Sequence, residues 1–268
     1  MAAERDAATL MIDSGVGGLS VMALAHQRLP KENFMFYADA ANAPYGDKTP
    51  EEIRAFLHQI LRNHEKYPLK AILLACNTAT SAAAALLREE LDIPVIGMEP
   101  ALKPAVLSSE GQIVVMATAL TIREEKFQKL LMQYGQGRDI VSLPCPGLMQ
   151  LVEKDPLGAD TEAYLQNVLA PYEKTMTSLV LGCTHYVFLR PLLQKLYPEV
   201  RLFDGNEGVV RHLKNVLRVL DALGGRGDVS IANSLRDPEA GAAYHKKCGD
   251  MFMFCTRMYA GFPAPAEQ

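Results

Sequence analysis

Two stretches of this chain share one order of parts, and that repetition constrains the fold more than any other feature. Ile72-Leu73-Leu74-Ala75-Cys76-Asn77-Thr78 and Leu179-Val180-Leu181-Gly182-Cys183-Thr184-His185 each run from buried-strand residues through a small residue to a thiol, then into helix-forming sequence. The thiols lie 183 − 76 = 107 residues apart. That is too far for a single metal loop or redox dithiol motif, and suited to one site assembled from two related halves.

The sequence around them alternates strand and helix signals. Apolar runs at 9–12, 34–38, 71–75 and 94–97 are separated by helical segments ending near 28, 66 and 91. Thr49-Pro50-Glu51-Glu52 has the composition of a helix start, with a Thr cap, Pro at the first position and acids in the first turn. Met98-Glu99-Pro100 reads as a crossing into a second unit. Strands at 112–117, 139–143, 178–181 and 200–203 then alternate with helices at 122–134, 147–153, 160–172 and 185–196. A helix at 208–223, a strand at 229–232 and a helix at 238–248 return to the first unit. The expectation is an α/β chain of two pseudosymmetric domains with mainly parallel sheets, 1–98 plus 206–268 forming one and 99–205 the other. Ligands of such sheets gather at the strands' carboxyl ends, where both Cys76 and Cys183 sit, so the expected active site is the interdomain cleft.

Composition narrows the function. Hydrophobic residues at 49% and charged residues at 22% indicate a globular chain rather than a disordered one. A net charge of −4 without any basic block argues against nucleic acid and anionic membrane partners. The polar start Met1-Ala2-Ala3-Glu4-Arg5-Asp6 leads into a strand, so no signal peptide or membrane span is expected and the protein is read as cytoplasmic. Five cysteines at irregular spacing suit free thiols in a reducing compartment.

A cysteine between a strand end and a helix start meets unpaired backbone N–H groups and the positive end of the helix dipole, which favour thiolate and seat carboxylate. Asn77, Thr78 and Thr184 add side-chain donors there. Asp13 and His185 read as equivalent positions just at or beyond a strand end, able to take or hold a thiol proton. Cys145, Cys248 and Cys255 lack this context and read as small core residues. Gly15-Val16-Gly17-Gly18-Leu19-Ser20 almost fits a dinucleotide fingerprint with Asp39 ending the next strand, but Ser20 replaces the third glycine and Asp13 would face the pyrophosphate. A turn exposing Asp13 and Ser14 to a small amino acid fits better. No metal is expected: Cys183 and His185 lack a second close ligand pair, and His26, His58, His64, His212 and His245 fall on helices. Glu153 reads either as an acid at the cleft edge or as an exposed helix-end charge.

Asp13-Ser14-Gly15-Val16-Gly17-Gly18-Leu19, Pro44-Tyr45-Gly46, Ala75-Cys76-Asn77-Thr78, Glu99-Pro100-Ala101 and Leu181-Gly182-Cys183-Thr184-His185-Tyr186 together resemble the signatures of glutamate racemase, in the cofactor-independent aspartate/glutamate racemase superfamily. The resemblance covers nearly the whole chain. It implies interconversion of L- and D-glutamate for bacterial peptidoglycan with no cofactor, by a homodimer of two pseudosymmetric α/β domains. It further implies Cys76 and Cys183 as the two bases, assisted by Asp13 and His185 with Glu153 as a further acid. Ser14, Pro44, Tyr45, Gly46, Asn77, Thr78, Thr118 and Thr184 match its substrate-contacting positions. The alternatives are a racemase of aspartate or another small amino acid, and a non-catalytic amino-acid-binding relative.

Overall fold

The structure is a computed structural model and describes residues 5–261. Met1 to Glu4, in the polar lead-in, and 262–268, the end of the expected first domain, lie outside the described residues. The first half runs β1 (Ala8–Asp13), α1 (Leu19–Arg28), β2 (Phe34–Ala38), α2 (Pro50–His64), β3 (Leu69–Leu74), α3 (Asn77–Glu90), β4 (Val95–Gly97) and α4 (Leu102–Ser108). It continues through β5 (Gln112–Ala117), α5 (Ala119–Arg123), α6 (Glu125–Tyr134), β6 (Ile140–Pro144), α7 (Leu148–Lys154), α8 (Ala159–Leu169) and β7 (Met176–Leu181). A 3-10 segment Thr184–Leu189, α9 (Arg190–Leu196), β8 (Arg201–Asp204), α10 (Asn206–Val219), β9 (Val229–Asn233) and α11 (Pro238–Ala260) complete it.

All strand pairs are parallel, in two sheets of order β4-β3-β1-β2-β9 and β6-β5-β7-β8. Read from the other edge, the second sheet is β8-β7-β5-β6, so each of its strands matches the first-sheet strand numbered four lower. The match extends to a local irregularity. The β1–β3 register slips between Ala8 and Thr9, and the β5–β7 register slips at the corresponding place, between Gln112 and Ile113. β9 joins the first sheet beside β2.

The central strands β1, β3, β5 and β7 are largely buried on both faces, and successive side chains divide between them, as strand pleat requires. Leu10 and Ile12 of β1 pack with Ile53 and Leu57 of α2, whereas Met11 belongs to a second core shared with α1. In β5, Ile113 and Val115 pack outward with Phe127, and Val114 and Met116 enter the shared core. That core joins the two sheets. At its centre α1 is buried from Leu19 to Ala25, the pattern of a helix covered on all sides, and the 3-10 segment from the second half packs beside it.

The elements that differ from the sequence expectation include α4, α9 and α11, and the helix expected at 122–134 is divided at Glu124 into α5 and α6. α4 has no counterpart in that expectation: a proline inside a short segment argues against a helix, yet Pro104 sits in the first turn, where a missing N–H costs nothing. The helix expected at 185–196 divides into the 3-10 segment and α9. Pro191 has no N–H to offer the Val187 carbonyl, which instead accepts from Arg190 in the tighter i to i−3 pattern. α11 runs well beyond Cys248, through Gly249 to Ala260. The expected cap at Thr49 is present, with Glu52 returning a bond to the Thr49 N–H.

Candidate active site

β3 delivers Cys76 to the site. The strand ends at Leu74, and Cys76, still extended, becomes the N-cap of the 14-residue α3, its Sγ accepting the Ala79 N–H at 3.5 Å in the manner of a capping oxygen. The neighbouring Asn77 and Thr78 lie at the open, positive end of α3. Cys183 occupies the matching place after β7 but caps only the six-residue 3-10 segment, and its side chain makes no capping bond. The expectation that both thiols share one helix-end setting is therefore corrected: Cys76 has it, and Cys183 has His185 instead.

His185 is 1% exposed, with Nδ1 3.9 Å from the Cys183 sulfur and Nε2 3.0 Å from Glu153 Oε1. Burial alone would lower the imidazole's affinity for a proton. The bonds to Cys183 and Glu153 and the charges of Cys183 and Asp13 more than offset it, raising His185 to about 10. Burial likewise works to raise Glu153, but the bonds and charges of His185 and Lys247 outweigh it and hold this carboxyl at about 2. The pair is an imidazolium–carboxylate at neutral pH. Glu153 is therefore neither an exposed helix-end charge nor a wall of the cavity; it stands behind His185.

Asp13 is fully buried at the end of β1. It accepts from the Gly15 N–H at 2.9 Å, the Ser14 hydroxyl at 3.4 Å and the Thr184 hydroxyl at 3.0 Å. Burial raises its pKa against the opposing effect of His185 and these donors. Ser14 Oγ is also 3.9 Å from Cys76 Sγ, so a chain runs from Asp13 through Ser14 to the thiol. Burial first, then the Asp13 charge, pushes Cys76 up to about 12, despite the Ala79 N–H. Asp13 and His185 are not equivalent positions, which corrects the sequence expectation. By strand register Asp13, opposite Ala38, corresponds to Ala117, opposite Pro144, while His185, two residues after its thiol, corresponds to Thr78.

Both thiols line one cavity of about 140 Å³. Ser14, Cys76, Asn77 and Thr78 line it from the first sheet, and Thr118, Cys183, Thr184 and His185 from the second. The loop Pro44-Tyr45-Gly46 closes one side. Asp13 and Glu153 are not on the wall. The Asn77 amide donates to the Gly182 carbonyl at 3.1 Å, tying one thiol loop to the other, and its Oδ1 is a buried acceptor with no partner. Cys145, assigned to the core from sequence, also lines the cavity, its thiol turned to the Leu143 carbonyl. The signal for it was its position immediately after a strand's carboxyl end. A larger cavity of about 950 Å³ lies beside both crossovers, at Glu99 and Gly205, and no thiol lines it. Among the described residues no group of three or more His, Cys, Asp or Glu is disposed to hold a metal, and no helix is long and apolar enough to cross a membrane.

Residues 19–213 match the family described as Asp/Glu/hydantoin racemase. The chain belongs to that family. A glutamate racemase of Clostridium perfringens is 46% identical over 233 residues, 84% of this chain and 90% of the relative. An Escherichia coli glutamate racemase, solved with L-glutamate and the activator UDP-MurNAc-ala, superposes with a TM-score of 0.80 at 28% identity, over 92% of this chain and 95% of that one. A glutamate racemase isoform of Bacillus anthracis gives a TM-score of 0.74 at 31% identity, over 86% and 88%.

In this racemase the glycine-rich turn serves packing rather than a dinucleotide or a direct ligand approach. A Cβ on Gly15 would lie 2.9 Å from Glu153 Oε1, and one on Gly17 would lie 2.6 Å from His185 Nδ1 and closer still to the Thr184 hydroxyl. The turn from the first sheet thus receives the Thr184-His185 turn from the second. Asp39, the would-be ribose partner, is buried and bonded to the Tyr45 hydroxyl at 2.6 Å and the Asn42 amide at 3.0 Å. It anchors the Pro44-Tyr45-Gly46 loop over the racemase cavity.

Proposed function

We propose that this racemase interconverts L- and D-glutamate without a cofactor, using Cys76 and Cys183 as an acid and base on opposite faces of the α-carbon. The observation that carries the reading is that a thiol from each sheet lines one cavity of about 140 Å³, far below the roughly 300–1,000 Å³ of drug-sized sites and suited to a small amino acid.

Inversion by proton transfer needs one thiol protonated and the other not. Cys76, raised to about 12, begins as the acid, and the His185 imidazolium faces the Cys183 sulfur as the counter-ion a thiolate needs. The thiolate takes the α-proton, the C–H electron pair stays on the α-carbon and spreads into the carboxyl group, and the opposite thiol delivers its proton to the other face. The reverse direction exchanges the roles, with Ser14 and Asp13 serving Cys76. The α-hydrogen is a very weak acid, so preorganised donors must meet the developing charge in a site without water. The open N–H groups of Asn77 and Thr78 suit the substrate carboxylate, and the unpartnered Asn77 Oδ1 suits its ammonium group. Thr118 and Pro44-Tyr45-Gly46 would enclose the side chain. On this reading the two sheets and their helices act as two domains, 1–98 with 206–268 and 99–205, around an interdomain cleft. The supply of D-glutamate to peptidoglycan, a cytoplasmic location and a homodimer are proposed from the family resemblance.

The test is L-glutamate in heavy water with purified protein and no added cofactor. Optical rotation should decay to zero while deuterium enters the α-position. An inert protein would refute the reading, and faster exchange of L-aspartate in a parallel reaction would reassign the substrate.

A further inference from the structure

We propose that Lys247 is a positioning residue for the Cys183 side of this reaction: from α11 it clamps one oxygen of Glu153 while the other oxygen holds His185 against the sulfur. The proposal rests on the two-thiol reading above. Lys247 Nζ lies 2.6 Å from Glu153 Oε2, Glu153 Oε1 lies 3.0 Å from His185 Nε2, and His185 Nδ1 lies 3.9 Å from Cys183 Sγ. α11 packs on α1 and β9, so the lysine comes from the first-sheet side and its partners from the second.

Glu153 needs this second cation. It lies in the last turn of α7, where the helix dipole disfavours an anion, and its side chain is only 19% exposed. If His185 passes its proton to Cys183, a carboxylate with no other cation beside it would face a neutral imidazole in a dry setting and would tend to take a proton itself. Lys247 keeps it ionised. The neutral ring then retains Nε2–H toward Glu153 and presents the Nδ1 lone pair to the sulfur, ready to recover the proton. The other titratable groups near Glu153 do not compete. Tyr244 and Cys248, both on α11, are raised by burial first and then by the Glu153 charge, and so are neutral. Tyr244 also places its ring 5.6 Å from Lys247 Nζ, which steadies the lysine. The Asp13 charge also acts on His185 and favours its imidazolium. Lys246, the adjacent lysine, pairs with Asp250 on the surface and serves as a control.

Lys247→Met, Lys247→Arg and Lys246→Met should be compared by glutamate turnover and by the rate at which iodoacetamide labels Cys183 in the free protein, read by peptide mass spectrometry. Lys247→Met should lower kcat/KM by about 10- to 100-fold, the scale of a misplaced catalytic group, and slow Cys183 labelling by about fivefold as His185 loses its hold on the sulfur. Lys247→Arg should restore both, and Lys246→Met should alter neither. A purely structural lysine would behave oppositely: its loss would loosen the site and speed labelling. Faster or unchanged labelling in Lys247→Met overturns the proposal. The labelling comparison needs no turnover, so a wild-type protein inert toward glutamate would sink the functional reading while Lys247 is still judged.

Discussion

Replacing Gly17 with alanine tests the claim that the two halves of the site meet through the glycine-rich turn. The added Cβ would stand 2.6 Å from His185 Nδ1, whereas ordinary contact begins at 3.4 Å, so the imidazole must retreat by roughly 0.8 Å, a displacement on the scale that costs about 100-fold in rate. The Thr184 hydroxyl, closer still, must move as well, straining its 3.0 Å bond to Asp13. Overpacking of this kind costs about 1–3 kcal/mol, and in a chain of this size that lowers Tm by roughly 2–10 °C. Gly249→Ala is the matched control. It lies inside α11 with nothing within 4 Å of the place an added Cβ would take, and should stabilise by about 1 kcal/mol. Steady-state racemisation by circular dichroism and thermal melts of both variants suffice. A Gly17→Ala protein with wild-type kcat/KM and Tm would refute the packing argument.

Cys76→Ser and Cys183→Ser should each reduce α-deuterium exchange by at least about 1,000-fold, while Cys145→Ala, whose thiol is turned to a carbonyl, should keep activity within about tenfold; an active Cys183→Ser protein would end the two-base assignment. Stability should depend on pH through the His185–Glu153 pair. The Glu153 contribution is complete above 4.5 and lost as pH falls through about 2, and the His185 contribution is complete below 6.5 and lost as pH rises through about 10. The Tm difference between wild type and Glu153→Gln should thus be greatest between pH 4.5 and 6.5 and shrink toward either side; a flat difference would show that the pair is not ionised as described. Lys70 and Glu32 form a buried ion pair of 2.7 Å at the opposite ends of the strands, with Lys70 also bonded to the carbonyls of Arg5, Ala222 and Gly224. Lys70→Met should cost about 3–5 kcal/mol in urea unfolding and leave turnover per folded molecule unchanged.

The sequence by itself determined the alternation of strands and helices, the two related halves and the thiols at matching strand ends. These are local properties: an apolar run stopped by a small residue and a cysteine is written in consecutive residues, and the side-chain period of a buried strand can be read without knowing its partners. The β9 strand itself was legible for the same reason, whereas its place beside β2 is a pairing between distant segments. What lies next to each thiol was not legible. His185 and Asp13 share the look of a strand-end acid or base, yet sheet register sets them at non-equivalent places and joins them through Thr184. The glycines of the first turn suggest a ligand approaching the backbone, and only the packed halves show that a second turn of protein occupies that space. Lys247 carried no signal at all, because one lysine on a helix becomes distinctive only when folding brings a buried carboxylate within 2.6 Å of it. The tertiary structure decided these points because charge partners and close contacts depend on distances between segments that sequence order does not encode.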